Sequence, residues 1–474
     1  RRRLYAIWCM RSLLSVVVLL AVAYADPRMT TVGAGLAFGA RALALGAIPT
    51  TLGAAVYSAP HAFSGALGWL GAVIGTELYR SLAGFGGLTF ATGLTVVATL
   101  ALVELRARLR TGPLLAVGAA ILATLCFLDG LCVGGGASNW LVAAALLYVL
   151  EGPGFGAVLA ASALTILWCN LSPQGILAPV LALAVALGAT IDRRPLAVRR
   201  WAWFAVGGTA LALFATPAGV AYPRLALGDL ELFAGSHALL AHAPLLLAPG
   251  GFHIGVVALL SLGFVLGARR GRTADALLFA FGLILALADG TFVPLFGIAA
   301  APALADAART KLPALVSVAP GQRLADATVM LVSVALAAVL AIDANARDIA
   351  LEPSAFAPYD LVEGLAADAH PHRLWCADLQ VCSAAEAFAG PNLRVYADAR
   401  VAALPPAVRD QQRAIVAMRP DWPSRLRATG ADALLVPAPS PLATLLTLEP
   451  GWHATAGDAG YLLYRRTARP PRFQ

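Results

Sequence analysis

Residues 174–191 read QGILAPVLALAVALGATI, and no charged side chain occurs between Gly152 and Ile191. A membrane-spanning helix needs about 20 mostly apolar residues, and this stretch is long and apolar enough to supply one. The segment that follows, Asp192–Arg200, holds four arginines. Arginine-rich loops beside apolar spans are typical of the cytoplasmic side of a membrane protein. The stretch therefore predicts a helical membrane fold.

The whole chain of 474 residues shares this character, with 59% hydrophobic and 13% charged side chains and a mean hydropathy of +0.77. Globular domains carry about a quarter charged residues, so this composition excludes a soluble chain, a disordered chain and a coiled coil. Six scattered cysteines without histidines at ligand spacing exclude a zinc-finger array. The net charge of +8 comes from short arginine clusters between apolar runs, which fits loops at a bilayer and not nucleic-acid binding.

Twelve apolar runs are candidate spans: 4–25, 66–83, 87–105, 113–131, 138–150, 156–171, 174–191, 201–217, 251–268, 274–289, 291–308 and 325–343. Ala23-Tyr24-Ala25 also fits a signal-peptide cleavage site, but we expect the first run to be kept as a span. Arginine placement predicts a cytoplasmic N terminus and outward connections at 26–65 and 218–250. Since an outward C-terminal segment then requires an odd number of crossings, we expect 66–105 to cross once and the chain to cross about eleven times.

The character of the chain changes after Ile342, because residues 344–474 hold half of its acidic residues and no run long enough to span a bilayer. Short strand-like and helix-like pieces alternate there, which indicates a small α/β domain. The predicted fold is thus mainly α, with a polytopic helical membrane domain at 1–343 and a soluble outward domain at 344–474. Cys376 and Cys382 lie in that outward domain, where an oxidising compartment permits a disulfide that their spacing does not demand.

Three stretches, in this order, resemble GT-C-type integral-membrane glycosyltransferases, the bacterial protein-mannosyltransferase-like group. The first runs from Asp26-Pro27 through an amphipathic segment to Trp69-Leu70, and the second includes Leu167–Leu171 with Thr216–Gly219. The third lies in the outward domain and includes Leu393–Arg400. The resemblance implies a multi-pass protein of the bacterial inner membrane with a periplasmic C-terminal domain. It also implies transfer of a sugar from a polyprenyl-phosphate carrier at the outer face of that membrane.

Such a reaction needs a carboxylate in the first outward connection, as a general base or as a ligand of a divalent metal, and the resemblance places Asp26 in this role. The alternative is that Asp26-Pro27 only ends a helix and begins a turn. Arg41 is a candidate for binding the donor phosphate or a lipid headgroup. His61 and Asn170 are candidates for the polar lining of the site. No metal site follows from the sequence itself.

Several polar residues of the family pattern are missing. Arg28–Gly33 lacks a second acidic residue and a Trp-His pair, Ala66–Gly68 replaces Asn-His-Glu, and Ser172-Pro173 and Thr216 replace His-Gly and Asn. The apolar and Pro/Gly framework is kept. This pattern favours, as an alternative, a catalytically degenerate GT-C protein that serves as a structural or accessory subunit of a membrane complex. A transporter is disfavoured, since the chain shows no internal inverted repeat.

Overall fold

The computed structural model describes residues 29–64, 66–81, 84–127, 136–235, 261, 263, 272–288, 290–309, 358–368, 370–388, 392–438, 440–458 and 460–466. They are mostly helical. As far as residue 309 the helices are α1 (Met29–Leu45), α2 (Trp69–Ser81), α3 (Phe85–Arg108), α4 (Pro113–Phe127), α5 (Gly136–Val149), α6 (Phe155–Leu171), α7 (Ala178–Ile191), α8 (Leu196–Ala212), α9 (Tyr222–Gly235), α10 (Thr273–Ala288) and α11 (Val293–Arg309).

The described residues form two compact units. The helical unit consists of the described parts of 78–223 and 243–346, and the sheet unit consists of those of 27–77, 224–242 and 347–474. The change of unit between residues 346 and 347 lies close to the boundary that the sequence predicts after residue 343. The predicted division assigned the first outward connection to the membrane domain, whereas here it groups with the C-terminal part of the chain.

Small residues let the helices of the helical unit approach closely. A Cβ atom on Gly188 of α7 would overlap the backbone of Ala274 in α10, and one on Gly297 of α11 would lie 2.7 Å from the Cβ of Cys126 in α4. Close approach at small residues is typical of helix packing in membranes. Large apolar side chains stay exposed on the outer faces, such as Leu211 of α8 at 73%. Such surfaces suit contact with lipid.

Two described stretches have the length and hydropathy of a membrane span, Gly87–Arg108 and Pro173–Ile191. Shorter apolar helices are Gly35–Leu45, Leu115–Thr124, Gly136–Val149, Phe155–Leu171 and Thr273–Ala288. The helix α2 does not have the character of a membrane span, since it has only 13 residues and contains Glu77 and Arg80. The candidate spans 4–25, 251–268 and 325–343 lie largely outside the described residues, so the count of about eleven crossings stays a prediction.

The C-terminal part of the sheet unit contains α12 (Tyr359–Ala366), β1 (His372–Cys376), α13 (Leu379–Phe388), β2 (Leu393–Val395), α14 (Pro406–Val416), α15 (Trp422–Ala428), β3 (Ala433–Pro437), α16 (Pro441–Leu446), β4 (Trp452–Asp458) and β5 (Tyr461–Arg466). The sheet order is β2-β1-β3-β5-β4, with β2, β1 and β3 parallel and β5 and β4 antiparallel. Helical crossovers join the parallel strands, as parallel pairing requires. The predicted small α/β domain is confirmed.

The prediction of one long helix in this domain is wrong, because the structure has two shorter helices there. The sequence predicts a single helix over Pro405–Thr429, but α14 ends at Val416 and α15 begins only at Trp422. Met418 between them has a positive φ of 51°, which an α-helix does not tolerate. Pro420 follows, and proline cannot continue a helix hydrogen-bond ladder.

The first outward connection extends the sheet beyond β2. Val56 forms a parallel bridge with Val395. The amide of Tyr57 donates to the Val395 carbonyl at 3.0 Å, and the amide of Val395 donates to the Ala55 carbonyl at 2.8 Å. Leu52 and Val56 are fully buried in the same hydrophobic core as the strands. The connection and the C-terminal domain therefore share one core.

Two further links fix the helix that follows β1. A disulfide joins Cys376, the last residue of β1, to Cys382 in α13, with the two Cα atoms 5.7 Å apart. On the other side, α1 of the first outward connection packs against α13. Hence α13 contacts both the sheet and the connection that contains Arg41 and His61.

Candidate functional site

Arg41, the predicted phosphate-binding residue, ties α1 to the loop that follows it. Its Nη1 donates to the carbonyl oxygens of Thr51 at 3.2 Å and Leu52 at 2.8 Å. The guanidinium lies directly against Gly53, where a Cβ atom would overlap it, and Gly53 has a positive φ of 86°. A side chain is therefore excluded at Gly53 both by space and by backbone conformation. Part of the Arg41 guanidinium thus has a structural role.

Near Arg41, two acidic side chains share one cation. The Arg400 Nε lies 2.6 Å from a carboxylate oxygen of Asp398, and its Nη2 lies 3.1 and 3.2 Å from the two oxygens of Glu386. The Asp398 side chain is completely buried and that of Glu386 is 8% exposed. Two buried carboxylates therefore face one guanidinium.

This arrangement shifts the proton affinity of its members. Burial raises the pKa of Glu386 to about 7, with the charge of Arg400 opposing the rise and that of Asp398 adding to it. Burial alone would lower the pKa of Arg400, but the adjacent Asp398 and Glu386 carboxylates outweigh it and raise that pKa. Glu386 consequently exchanges a proton close to neutral pH.

Arg41 completes this group electrostatically. Burial lowers the pKa of Arg41, the positive charge of Arg400 lowers it further, and Glu386 opposes both. We call Arg41, Glu386, Asp398 and Arg400 the Glu386 cluster. Its two guanidiniums and two carboxylates balance when Glu386 is ionised, and protonation leaves a surplus of one positive charge. The cluster links α1 of the first outward connection to α13 and to the end of β2.

The other predicted site residues lie elsewhere. Asp26, the predicted catalytic carboxylate, is outside the described residues. His61 is exposed in the first outward connection, within the sheet unit. Asn170 is buried at the end of α6 in the helical unit, where its Nδ2 donates to the carbonyl oxygens of Ile166 at 2.8 Å and Ala215 at 2.9 Å. Their roles at a common site stay predictions.

The end of α6 is held by hydrogen bonds to the backbone. The Tyr222 hydroxyl donates to the Pro173 carbonyl at 3.1 Å, and the Ser172 hydroxyl accepts from the Gln174 amide at 3.2 Å. Ser172 and Pro173 replace the His-Gly of the family pattern. In this structure, Ser172 and Pro173 begin a 3-10 helix (Pro173–Leu177) that directly precedes α7.

Metal ligation has little support in the part of the chain that the structure describes. No group of three or more His, Cys, Asp or Glu side chains there is arranged to hold a metal ion. The nearby carboxylates Glu386 and Asp398 both bind Arg400, so they do not fit a metal site. A divalent metal bound by Asp26 stays a prediction.

The Glu386 cluster was missed from the sequence. Asp398 and Arg400 lie within the stretch that carries the family resemblance, yet their spacing matches no catalytic motif. Glu386 occurs in an otherwise small and apolar helix, and a lone acid in such a helix was the available signal. A second missed group is the set of buried ion pairs around Arg106 and Glu151 in the helical unit.

No protein-family model matches the chain, and no curated protein matches it. Solved structures do. The archaeal oligosaccharyltransferase AglB from Archaeoglobus fulgidus, in complex with an inhibitory peptide and a dolichol-phosphate, has 10% identity and a TM-score of 0.57 over 92% of this chain and 69% of its own. ArnT from Cupriavidus metallidurans, bound to undecaprenyl phosphate, has 13% identity and a TM-score of 0.53 over 96% of this chain and 98% of its own.

At such identities the likeness establishes the fold. The chain shares the GT-C fold of these two proteins, which confirms the predicted fold class. A location in a membrane follows from that fold. Activity is a separate question, because a fold hosts more than one function and the site decides between them.

Proposed function

We propose that this chain is a GT-C-type glycosyltransferase that takes a sugar from a polyprenyl-phosphate carrier at the outer face of the bacterial inner membrane. The observation that carries the proposal is the agreement in fold with ArnT over nearly the full length of both chains. That structure holds undecaprenyl phosphate, a carrier of the chemical class that the sequence resemblance implies. The N terminus would then be cytoplasmic and the sheet unit periplasmic.

In this proposal, Asp26 acts where the first span meets the outward connection, either as the base that activates the acceptor or as a metal ligand. The sheet unit positions the connection that follows Asp26, through the Val56–Val395 bridge and the Glu386 cluster. The N–H groups of Arg41 that do not bind Thr51 or Leu52 would contact the donor phosphate, a geometry that guanidinium suits. Holding a catalytic group in the correct orientation to its substrate lowers the barrier of the reaction.

A second function is favoured by the structure around Asn170. The Asn170 amide donates to two backbone carbonyls, and Tyr222 donates to the carbonyl of Pro173. Asn170, which the sequence predicts in the polar lining of the site, is thus engaged within the chain. This supports a GT-C-fold protein without catalysis that acts as a structural or accessory subunit of a membrane complex.

Turnover of a lipid-linked sugar separates the two functions. The full chain is reconstituted with radiolabelled polyprenyl-phosphate sugar and an acceptor-containing membrane extract, and the release of label from the carrier is followed. A transferase should lose roughly 100-fold or more of its rate in Asp26→Asn, as expected when a general base is removed. Asp360→Asn, an exposed acid on α12, is the matched control and should keep the wild-type rate.

The same experiment can reject the transferase. Binding of polyprenyl phosphate without any turnover would favour the accessory role, and co-purification of a defined membrane complex would support it. An Asp26→Asn variant that turns over at the wild-type rate would contradict the role of Asp26. If the wild-type chain neither binds nor turns over the lipid-linked sugar, the proposed transferase is contradicted.

A further inference from the structure

A group of buried arginines and carboxylates links the end of α3 to the segment after α5, to α10 and to α11. Arg106 and Arg110 are nearly inaccessible, with side chains 2% and 5% exposed. The Arg106 Nε lies 3.0 Å from Glu151, and the Arg110 Nη1 lies 2.5 Å from Asp275 near the start of α10. Arg110 also pairs with Glu151, which follows α5. Arg106 further donates to the Ile298 carbonyl of α11 at 3.4 Å.

Two more arginines lie at the rim of this group. The Arg272 Nη1 lies 2.8 Å from the second oxygen of Glu151, and the Arg272 side chain is 36% exposed. Arg309, the last residue of α11, is exposed and donates to the backbone carbonyl of Arg110. Four guanidiniums therefore surround two carboxylates, Glu151 and Asp275, which leaves a charge of 4 − 2 = +2.

Neighbouring acids in the described part of the chain do not remove this surplus. Asp306 precedes Arg309 by one turn of α11, and Asp192 accepts hydrogen bonds from Thr273, next to Arg272. Asp192 is followed by Arg193 and Arg194. Adding these residues gives six arginines and four carboxylates, so the charge is still 6 − 4 = +2. The nearby Arg108 is already neutralised by Glu104, at 2.5 Å.

Glu151 and Asp275 balance the two buried arginines. The surplus therefore lies on Arg272 and Arg309 at the rim, where an anion can reach it. One donor of this group also lacks a partner, since the buried Nε of Arg110 makes no hydrogen bond to the described residues. Guanidinium groups pair with phosphate through two parallel N–H bonds, and basic pockets between membrane helices bind phospholipid headgroups. We propose that this surplus binds a phosphate group, with Arg272 and Arg309 in contact with it and Arg110 behind them.

This phosphate site goes beyond the proposed transfer reaction. Arg110 and Arg272 belong to arginine clusters, at 106–110 and 269–272, that the sequence predicts on the cytoplasmic side, whereas the donor sugar is expected at the outer face. Two sources supply the same chemistry, an anionic phospholipid headgroup of the inner leaflet and a free phosphate ion. A bound phosphate would hold the ends of α3, α10 and α11 together through Arg110, Arg272 and Arg309.

Thermal unfolding of the full chain tests the site. The protein is delipidated in a neutral detergent and titrated at constant ionic strength with phosphatidylglycerol, phosphatidylcholine or inorganic phosphate. Phosphatidylglycerol should raise Tm and phosphatidylcholine should not. Added stabilisation by inorganic phosphate would identify the free ion as a sufficient ligand, and stabilisation by phosphatidylglycerol alone would identify a headgroup. No stabilisation by either anion would overturn the proposal.

Substitution of the two rim arginines locates the effect. Arg272→Gln with Arg309→Gln should weaken the apparent affinity for the stabilising anion by roughly tenfold or more, as expected for losing charge-assisted hydrogen bonds. Arg413→Gln with Arg427→Gln, two exposed arginines of the sheet unit, is the control and should bind like wild type. Where the double variant does not fold, Arg309→Gln alone serves, because its described bond is to a backbone carbonyl. Wild-type affinity in the rim variant would refute the site.

Discussion

Replacing Glu386 with glutamine should remove a pH-dependent loss of stability from the sheet unit. Burial raises the pKa of Glu386 to about 7, from 4.5 for the free side chain. Because the folded protein then holds this proton more tightly than the unfolded chain, stability is highest below pH 4.5 and falls as pH rises towards 7. The rise in pKa from 4.5 to about 7 corresponds to about 3 kcal/mol.

Glutamine imitates the protonated acid and does not titrate. We therefore expect Glu386→Gln to exceed the wild-type stability only slightly near pH 5 and by about 3 kcal/mol at pH 8. The assay is thermal unfolding of the full chain in detergent between pH 5 and 8, followed by tryptophan fluorescence. Glu363→Gln on α12 is the control, because Glu363 is exposed and lies outside the Glu386 cluster.

Two results would refute this reasoning. One is a wild-type protein and a Glu386→Gln variant whose stabilities change in parallel with pH, which would mean that Glu386 does not titrate in this range. The other is a variant that is less stable than wild type at pH 8. In that case the ion pair of Glu386 with Arg400 stabilises the fold more than burial of the charge costs.

Three more substitutions test the packing within the sheet unit and the helical unit. Gly53→Ala should destabilise the sheet unit by about 1–3 kcal/mol, because a Cβ atom there would overlap Arg41 at a positive φ; unchanged thermal stability would contradict this packing. Replacing Cys376 and Cys382 by alanine should cost about 2 kcal/mol in chemical unfolding, as expected for a short closed loop, and a reducing agent should affect only the wild-type protein. Asn170→Ala should cost about 1–3 kcal/mol, because two carbonyls lose a buried donor, and a loss of donor binding without destabilisation would instead indicate a substrate contact.

The helical fold could be predicted because its signal is local. The apolar runs around 87–105 and 174–191 coincide with helices of spanning length, Gly87–Arg108 and Pro173–Ile191. Buried strands such as Ala433–Pro437 were also visible as short apolar runs between turn residues. Such patterns depend on neighbouring residues alone.

The strand β4 could not be predicted from its pattern. Residues 453–457 read HATAG, and all of them are exposed in the sheet. A strand with both faces largely in water shows no alternation of apolar and polar residues. Its pairing with β5 is what makes it a strand, and that pairing is a tertiary contact.

The packing of the first outward connection against the C-terminal domain could not be predicted from the sequence either. Val56 and Val395 pair across most of the length of the chain, and no local pattern reports such a contact. The Glu386 cluster depends on the same packing, since Arg41 belongs to the connection and the other three residues to the domain. Electrostatic groups assembled from distant segments carry no spacing signal.

Binding of the lipid carrier tests the central claim most directly. The purified full chain is titrated with undecaprenyl phosphate and, separately, with undecaprenol, and the complexes are counted by native mass spectrometry. We predict one bound undecaprenyl phosphate per chain, and an affinity for undecaprenol that is weaker by roughly tenfold or more because the phosphate contacts are lost. Equal binding of the two lipids, or no binding of either, would contradict a GT-C protein that handles polyprenyl phosphates.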